Sequence, residues 1–445
     1  MNSDSAVARR TTARVARRIL PFLLILYIVG FLDRVNVAYA GLEMTQDLGF
    51  SDQVFGFGAG VFFLGYVLLA IPGALLVERW SARILISGLL ACWGFVTTLT
   101  SLVHTPTQFI TLRLLLGVAE AGFFPGVIVY LTHWFPARDR AKAIAGFMIG
   151  IPIASIVGSP LAGLILRVHW FGLNGWRWLF ILEGVPAILL GTATYFYLTD
   201  RPQEARWLRE DEREWLADTL NEEARIKRTS APASIGRVLL DARVIMLGGV
   251  YLFGDVGLYG FTIWFPTILK RVSGYSTFTV TLVAIFPYLV ALLSDLAVGW
   301  HSDKTGERRW HTALPLFVGA GILFVGLAFN LSLPVQIIFF CALAGCLHSW
   351  QPCFWSLPTA LLGETAAAAS VGFINSVGHL GAFTGPFLIG YLRTHYHAFA
   401  PGLAVLLISL LSAGLLVLLI KNTVATPVFE IKEHEFVNRA KVAVD

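Results

Sequence analysis

With 445 residues, 56% of them hydrophobic and only 14% charged, the chain has a mean hydropathy of +0.71, whereas soluble domains carry about a quarter charged residues. No water-soluble fold hides that much apolar surface, so the solvent for most of the chain is lipid, and a formal net charge of +5 is too small to indicate a nucleic-acid partner. The cysteines, Cys92, Cys341, Cys346 and Cys353, stand in apolar runs without ligand spacing, so no disulfide, metal or other cofactor is expected.

In chain order, a basic tail (1–18) runs straight into an apolar segment with no A-x-A-like cleavage site, which predicts a retained tail and a first anchor. A helix of about 20 residues crosses the hydrocarbon core. Apolar runs bounded by charges, prolines and glycines predict spans at 19–41, 54–77, 84–103, 107–133, 143–166 and 177–198. A hydrophilic linker (199–242) follows, in which "RWLREDEREWL" predicts a surface helix with Trp207, Leu208, Trp215 and Leu216 against the membrane or the bundle. A second set comes at 243–269, 277–300, 312–331, 334–357, 367–392 and 400–420, before a hydrophilic tail (421–445). The fold class is therefore an all-α membrane protein of twelve helices in two six-helix halves.

An even number of spans leaves both tails on one side. Arg9, Arg10, Arg14, Arg17 and Arg18 lie there, as do the turns with Arg79 and Arg83, with Arg138, Arg140 and Lys142, and with Lys304, Arg308 and Arg309. The opposite side has only Arg167, Arg177, Lys270, Arg271 and Arg393, so both tails are expected in the cytoplasm. The turn near Glu364 has no basic residue and fits this count poorly.

After the second span the chain reads "PGALLVERWSARIL", and after the eighth "VGWHSDKTGERRWH". Each is a glycine at a helix end, then an acid followed by a base, then further bases. One element at matching places in two halves is what parallel repeats require. Asp303 with Lys304, Arg308 and Arg309 resembles the signature loop of the major facilitator superfamily. The first copy, with Glu78, Arg79 and Arg83, departs from it by Glu78 for aspartate and Ser81 for glycine. Both turns read as gates.

Ionisable groups inside spans carry the chemistry. The first span holds Asp33, Arg34 and Asn36 in "FLDRVNVAYA"; the fourth holds Arg113 and Glu120 in "RLLLGVAEAGFFPG". Each charge costs about 2.5–3.5 kcal/mol at a helix centre, so four unpaired ones would cost about 10–14 kcal/mol, a whole domain's stability. They must pair or face water. At about 1.5 Å per residue, Arg34 and Arg113 fall in nearly one layer with Asp33. Glu120, two turns from Arg113, shares its face about 10 Å closer to the cytoplasm. Two acids balance two bases. A bound carboxylate leaves one negative charge, which a proton on Asp33 or Glu120 neutralises. A static ion-pair lock between helices is the other reading of the same four residues.

"FLDRVNVAYA", "LLLGVAEAGFFPGVIVYLTHWFP", "GWRWLFILEGVPA", "DRPQEARWL", "FWSLPTALL" and "GFINSVGHLGAFTGP" together resemble the anion:cation symporter branch of that superfamily over nearly the whole chain. This branch includes tartrate, galactonate, glucarate, hexuronate and phthalate permeases; vesicular glutamate and sialic acid carriers are more distant. The resemblance implies that Arg34 binds the substrate carboxylate, that Asp33 and Glu120 carry protons and Arg113 modulates them, and that Tyr66, Trp355 and Asn375 line the pocket. It implies a monomer in the inner membrane whose partners are a small organic anion, a proton and the bilayer, with spans 1, 4, 7 and 10 around one pocket. His379 stands where that branch commonly has asparagine.

Glu183, Asp255 and Asp295 also fall within spans and read as structural, Glu183 through an arginine near the outer surface. His348 and His379 read as hydrogen-bonded within their helices, and Tyr259 and Trp264 as pocket walls or packing. A proton-antiport exporter of the same fold is a competing reading, against which the two pocket arginines speak. An intramembrane enzyme is another, but the chain has no G-x-S-x-G and no H-E-x-x-H.

Overall fold

The computed structural model describes residues 3–79, 81–228, 239–362 and 364–420, and among these every long element is helical. The helices are α1 (Ser3–Asp47), α2 (Asp52–Arg79), α3 (Ala82–Thr100), α4 (Pro106–Thr132), α5 (Ala137–Leu166), α6 (Gly175–Tyr197), α7 (Glu210–Arg228), α8 (Ala242–Ser273), α9 (Thr277–Thr305), α10 (Arg309–Ala328), α11 (Leu333–Leu362), α12 (Glu364–Tyr396) and α13 (Ala400–Leu419). All but α7 and α12 contain an apolar window long enough to cross a bilayer; α12, at 33 residues, is the twelfth span by length. Large apolar side chains such as Leu68, Phe95, Leu189, Leu293 and Ile408 point outward, more than half exposed, as a lipid solvent demands.

The spans pair in the same way in both halves. In the first, α1 packs on α5, α2 on α4 and α3 on α6; in the second, α8 packs on α12, α9 on α11 and α10 on α13. The contacts between halves are also equivalent, α2 with α12 and α5 with α9. The repeat of the two turns is thus a repeat of whole bundles. Close approach depends on glycine: a Cβ on Gly117 would sit 1.9 Å from the Phe62 carbonyl oxygen, so only glycine lets α4 lie this near α2.

Two boundaries differ from the apolar runs. α1 begins at Ser3, because the arginine-rich stretch continues the helix out of the membrane and docks on α7. α11 and α12 run closer together than the expected 358–366 gap allows. In the linker, Trp207 and Leu208 precede α7. Leu208 and Leu216 are buried, and Trp207 stacks on Trp134 with centroids 5.3 Å apart, so the segment is clamped to the first half.

The halves meet firmly at the end of the bundle away from the N-terminal segment. There Arg393 Nη1 donates to Asp52 Oδ1 at 2.9 Å, the Gln53 N–H donates to Thr394 Oγ1 at 2.9 Å, and Lys270 Nζ donates to the Leu42 carbonyl at 3.2 Å. Trp264 belongs to this closure: its Nε1 donates to the Pro386 carbonyl at 2.9 Å and its ring meets Phe55 edge-on at 5.3 Å.

Candidate functional site

The buried charges of α1 and α4 do come together. Arg34 Nη2 donates to Glu120 Oε2 at 3.0 Å, with side-chain exposures of 18% and 3%. The rise per residue puts Arg34 level with Arg113, yet its partner is Glu120, because a long arginine side chain reaches along the bundle. Arg113 is 1% exposed, and its Nε and Nη1 have no hydrogen-bond partner among the described residues. Its guanidinium lies 5.0 Å from the centroid of Phe62, and that of Arg34 lies 5.4 Å from the same ring. The Phe62 ring therefore lies beside both cations and adds to what Glu120 gives Arg34.

Asp33 is fully buried and makes no ion pair among the described residues. Asn36 Nδ2 donates to its Oδ1 at 2.8 Å, and Thr97 of α3 donates a short hydrogen bond to Oδ2. Glu183 of α6 departs from expectation: it makes no ion pair among the described residues, its Oε2 is unpartnered, and its polar neighbours are Asp33 and Asn36. Two carboxyls thus share the space between α1, α3 and α6.

The second half closes on Arg34 through Tyr259 of α8. Tyr259 and Tyr66 both lie close enough to interact electrostatically with the guanidinium, and Arg34 sits 5.3 Å from the Tyr66 ring. Tyr66 in turn meets the His379 ring edge-on at 4.7 Å. His379 Nε2 lies 3.4 Å from Asn375 Nδ2 one turn away, while its Nδ1 is buried with no hydrogen-bond partner among the described residues. Trp355 is farther along the same wall, against Tyr251 at 4.9 Å; Tyr251 fills the notch that Gly378 leaves beside His379. Asp255, also fully buried, accepts one long bond among the described residues, from Gln351 Nε2 at 3.4 Å. The cluster around Arg34 thus brings Phe62 and Tyr66 of α2 and His379 of α12 next to the charges of α1 and α4.

The sequence reading gives no weight to Thr97 or Phe62. Nothing in an apolar run distinguishes the one threonine or phenylalanine that meets a buried charge. His379 carries a signal, a titratable ring in an apolar helix.

The turns lie at the end bearing the N-terminal segment. Arg308 Nη1 pairs with Asp303 Oδ1 at 2.6 Å and donates to Ser302 Oγ at 2.9 Å, Lys304 lies 5.2 Å over Trp300, and Arg309 donates to the Leu418 carbonyl. In the first copy Arg83 turns to Asp200, its backbone N–H donating at 2.9 Å and its Nε lying 3.8 Å away. The side chains of Glu78 and Arg79 lie outside the described residues.

The Major Facilitator Superfamily profile matches residues 23–386. A protein of Agrobacterium vitis named "Putative tartrate transporter" is 45% identical over 408 residues, covering 91% of this chain and 92% of its own. Inner membrane transport protein RhmT of Escherichia coli K12 is 39% identical over 391 residues, 87% and 90% of the two chains. Quinolone resistance transporter of Acinetobacter baumannii is 37% identical over 399 residues, 89% and 92%. Among solved structures, an inward-facing bacterial homologue of the human lysosomal transporter Spinster superposes with TM-score 0.72 at 18% identity, covering 90% of this chain and 94% of that one. The D-xylose-proton symporter superposes with TM-score 0.68 at 17% identity, covering 90% and 97%. The chain is a multi-pass membrane transporter, not an enzyme, and belongs to the major facilitator superfamily.

Proposed function

We propose that the chain takes up a small organic anion, of the class of tartrate, a sugar acid or an aromatic carboxylate, together with protons. The observation that carries this reading is the Arg34–Glu120 pair beside an Arg113 with free donors. Arg34 has five N–H donors and spends one on Glu120. A substrate carboxylate arriving at Arg34 competes for the same cation, and Glu120 then becomes an unpaired buried acid, which is costly unless it takes a proton. Anion binding and protonation are coupled by that competition. The naming of the 45% identical relative supports the substrate class.

Glu183 refines the charge count. Asp33, Glu120 and Glu183 against Arg34 and Arg113 leave one negative charge when all are ionised, so the empty pocket already holds one proton in the Asp33–Glu183 region. A monoanion calls for one more. In this reading the closed end faces outward, both tails lie in the cytoplasm of an inner-membrane monomer, and the Asp303–Arg308 turn holds the cytoplasmic end when it closes. Asp303→Ala with unchanged transport and conformational balance would remove that gating role.

A proton-antiport exporter is the second reading, favoured by the 37% identical relative named for quinolone resistance. Reconstituted protein separates the two. Inward pH-driven accumulation of labelled tartrate supports uptake, whereas proton-driven extrusion of a fluorescent quinolone without anion uptake supports export.

A further inference from the structure

The arginine-rich start of α1 builds a second charged cluster, apart from the one that Arg34, Glu120 and Arg113 form. Arg10 donates to Glu212 Oε1 through Nε at 2.8 Å and also to Asp211, and Arg14 Nη1 donates to Glu212 Oε2 at 2.6 Å. Glu212 is fully buried, so these bonds fix α7 against α1. Beside these bonds, bounded by α1, the end of α6 and the segment before α7, lies a cavity of about 630 Å³ lined by Arg10, Arg14, Arg17, Arg18, Tyr197 and Trp207. Arg18 is held over Tyr197 at 4.7 Å and over Trp207 at 5.0 Å, and the Tyr197 hydroxyl donates to the Arg18 carbonyl at 3.1 Å.

Four arginines face two acids, Asp211 and Glu212, which leaves a surplus of two positive charges. Arg17 and Arg18 make no ion pair among the described residues. The cavity sits where the polar end of α1 becomes apolar. One turn on, the Phe22 ring packs on Tyr197 at 4.5 Å, and Ile25, Tyr195 and Phe196 are 49%, 44% and 79% exposed on the lipid-facing surface. A ligand filling it must be anionic at one end and apolar at the other, with about two negative charges.

We propose that this cavity binds the headgroup of an anionic phospholipid, and that a two-phosphate headgroup of the cardiolipin type fits it better than a single phosphate. The lipid phosphates meet Arg17 and Arg18 while the acyl chains lie along Phe22, Ile25 and Phe196. Binding ties α1, α6 and the segment before α7 together at the headgroup level.

Native mass spectrometry of the full-length protein in detergent tests this with cardiolipin, phosphatidylglycerol, phosphatidylcholine and soluble glycerol phosphate as probes. Retention is expected in the order cardiolipin, phosphatidylglycerol, phosphatidylcholine, with glycerol phosphate not retained. Arg17→Gln with Arg18→Gln should weaken cardiolipin retention by about 25-fold, fivefold for each arginine. Arg138→Gln with Lys142→Gln removes the same charge from that end of the protein and should leave it unchanged. Equal retention by the first double variant, equal loss in the second, or binding of glycerol phosphate as tight as that of the lipids would each overturn the proposal. Melting temperatures of both variants without lipid confirm that each is folded before the comparison is made.

Discussion

Arg34 and Glu120 are joined at 3.0 Å across α1 and α4, and the arginine is the more exposed partner, 18% against 3%. In the uptake proposed above, the cation is the member that a solute would meet and the carboxyl the member left behind. Arg34→Ala is expected to abolish anion binding. Arg34→Lys keeps the charge but loses the planar fork, and should weaken binding at least about tenfold. Isothermal titration with tartrate and related acids checks both; wild-type affinity in Arg34→Ala would place the anion elsewhere.

Thr97 holds Asp33 from α3, and Asn36 is the other donor to that carboxyl. Thr97→Val preserves shape and removes one donor to a fully buried acid, a loss of about 1–3 kcal/mol if the acid stays ionised. The valine variant should bind anion with a pH profile altered from that of the wild type, because the donor from α3 to this carboxyl is gone. An unaltered pH profile would show that Asp33 does not titrate during binding.

The ion pair of Asp52 with Arg393 fastens the two halves at the closed end. Arg393 also stacks 4.2 Å from Phe399, so its loss removes packing as well as charge. For such a partly exposed pair about 1 kcal/mol is reasonable, a shift of about fivefold in the open-to-closed ratio. Arg393→Ala should lengthen spin-label distances between the starts of α2 and the ends of α12 in a larger fraction of molecules. Unchanged distributions would mean that apolar contacts alone close that end.

Asp241 caps α8, accepting from the Arg243 backbone N–H at 2.8 Å and from its guanidinium at 2.8 and 3.1 Å, while Arg243 also donates to the Leu361 carbonyl. The hydrogen bonds from Arg243 hold this carboxyl below its ordinary value. A lowered carboxyl contributes stability above its unfolded value, near 3.9, and loses it as pH falls through the folded one. Asp241→Ala should cost about 1 kcal/mol at neutral pH and nothing at strongly acid pH. Thermal unfolding in detergent across that range checks the convergence.

The twelve apolar runs, the repeated turns and the buried charges of α1 and α4 were legible because lipid punishes any polar residue without a purpose. Which groups pair was not. Rise per residue locates a Cα to within a turn, but Arg34 reaches Glu120 with its side chain, and Glu183 lies beside Asp33 in place of an outer arginine. The extension of α1 to Ser3 was hidden for a different reason. Its arginines look like a flanking tail until Glu212, 198 residues from Arg14, is seen between them.

Counterflow and gradient-driven uptake of a labelled organic acid, measured side by side in proteoliposomes of wild-type and Glu120→Gln protein, bear most directly on the coupling. A permanently neutral residue at 120 should still exchange anion across the membrane and should fail to accumulate it against a gradient when the interior is made alkaline. Accumulation by the glutamine variant at the wild-type level would contradict the account, since the proton would then travel without the carboxyl that Arg34 holds.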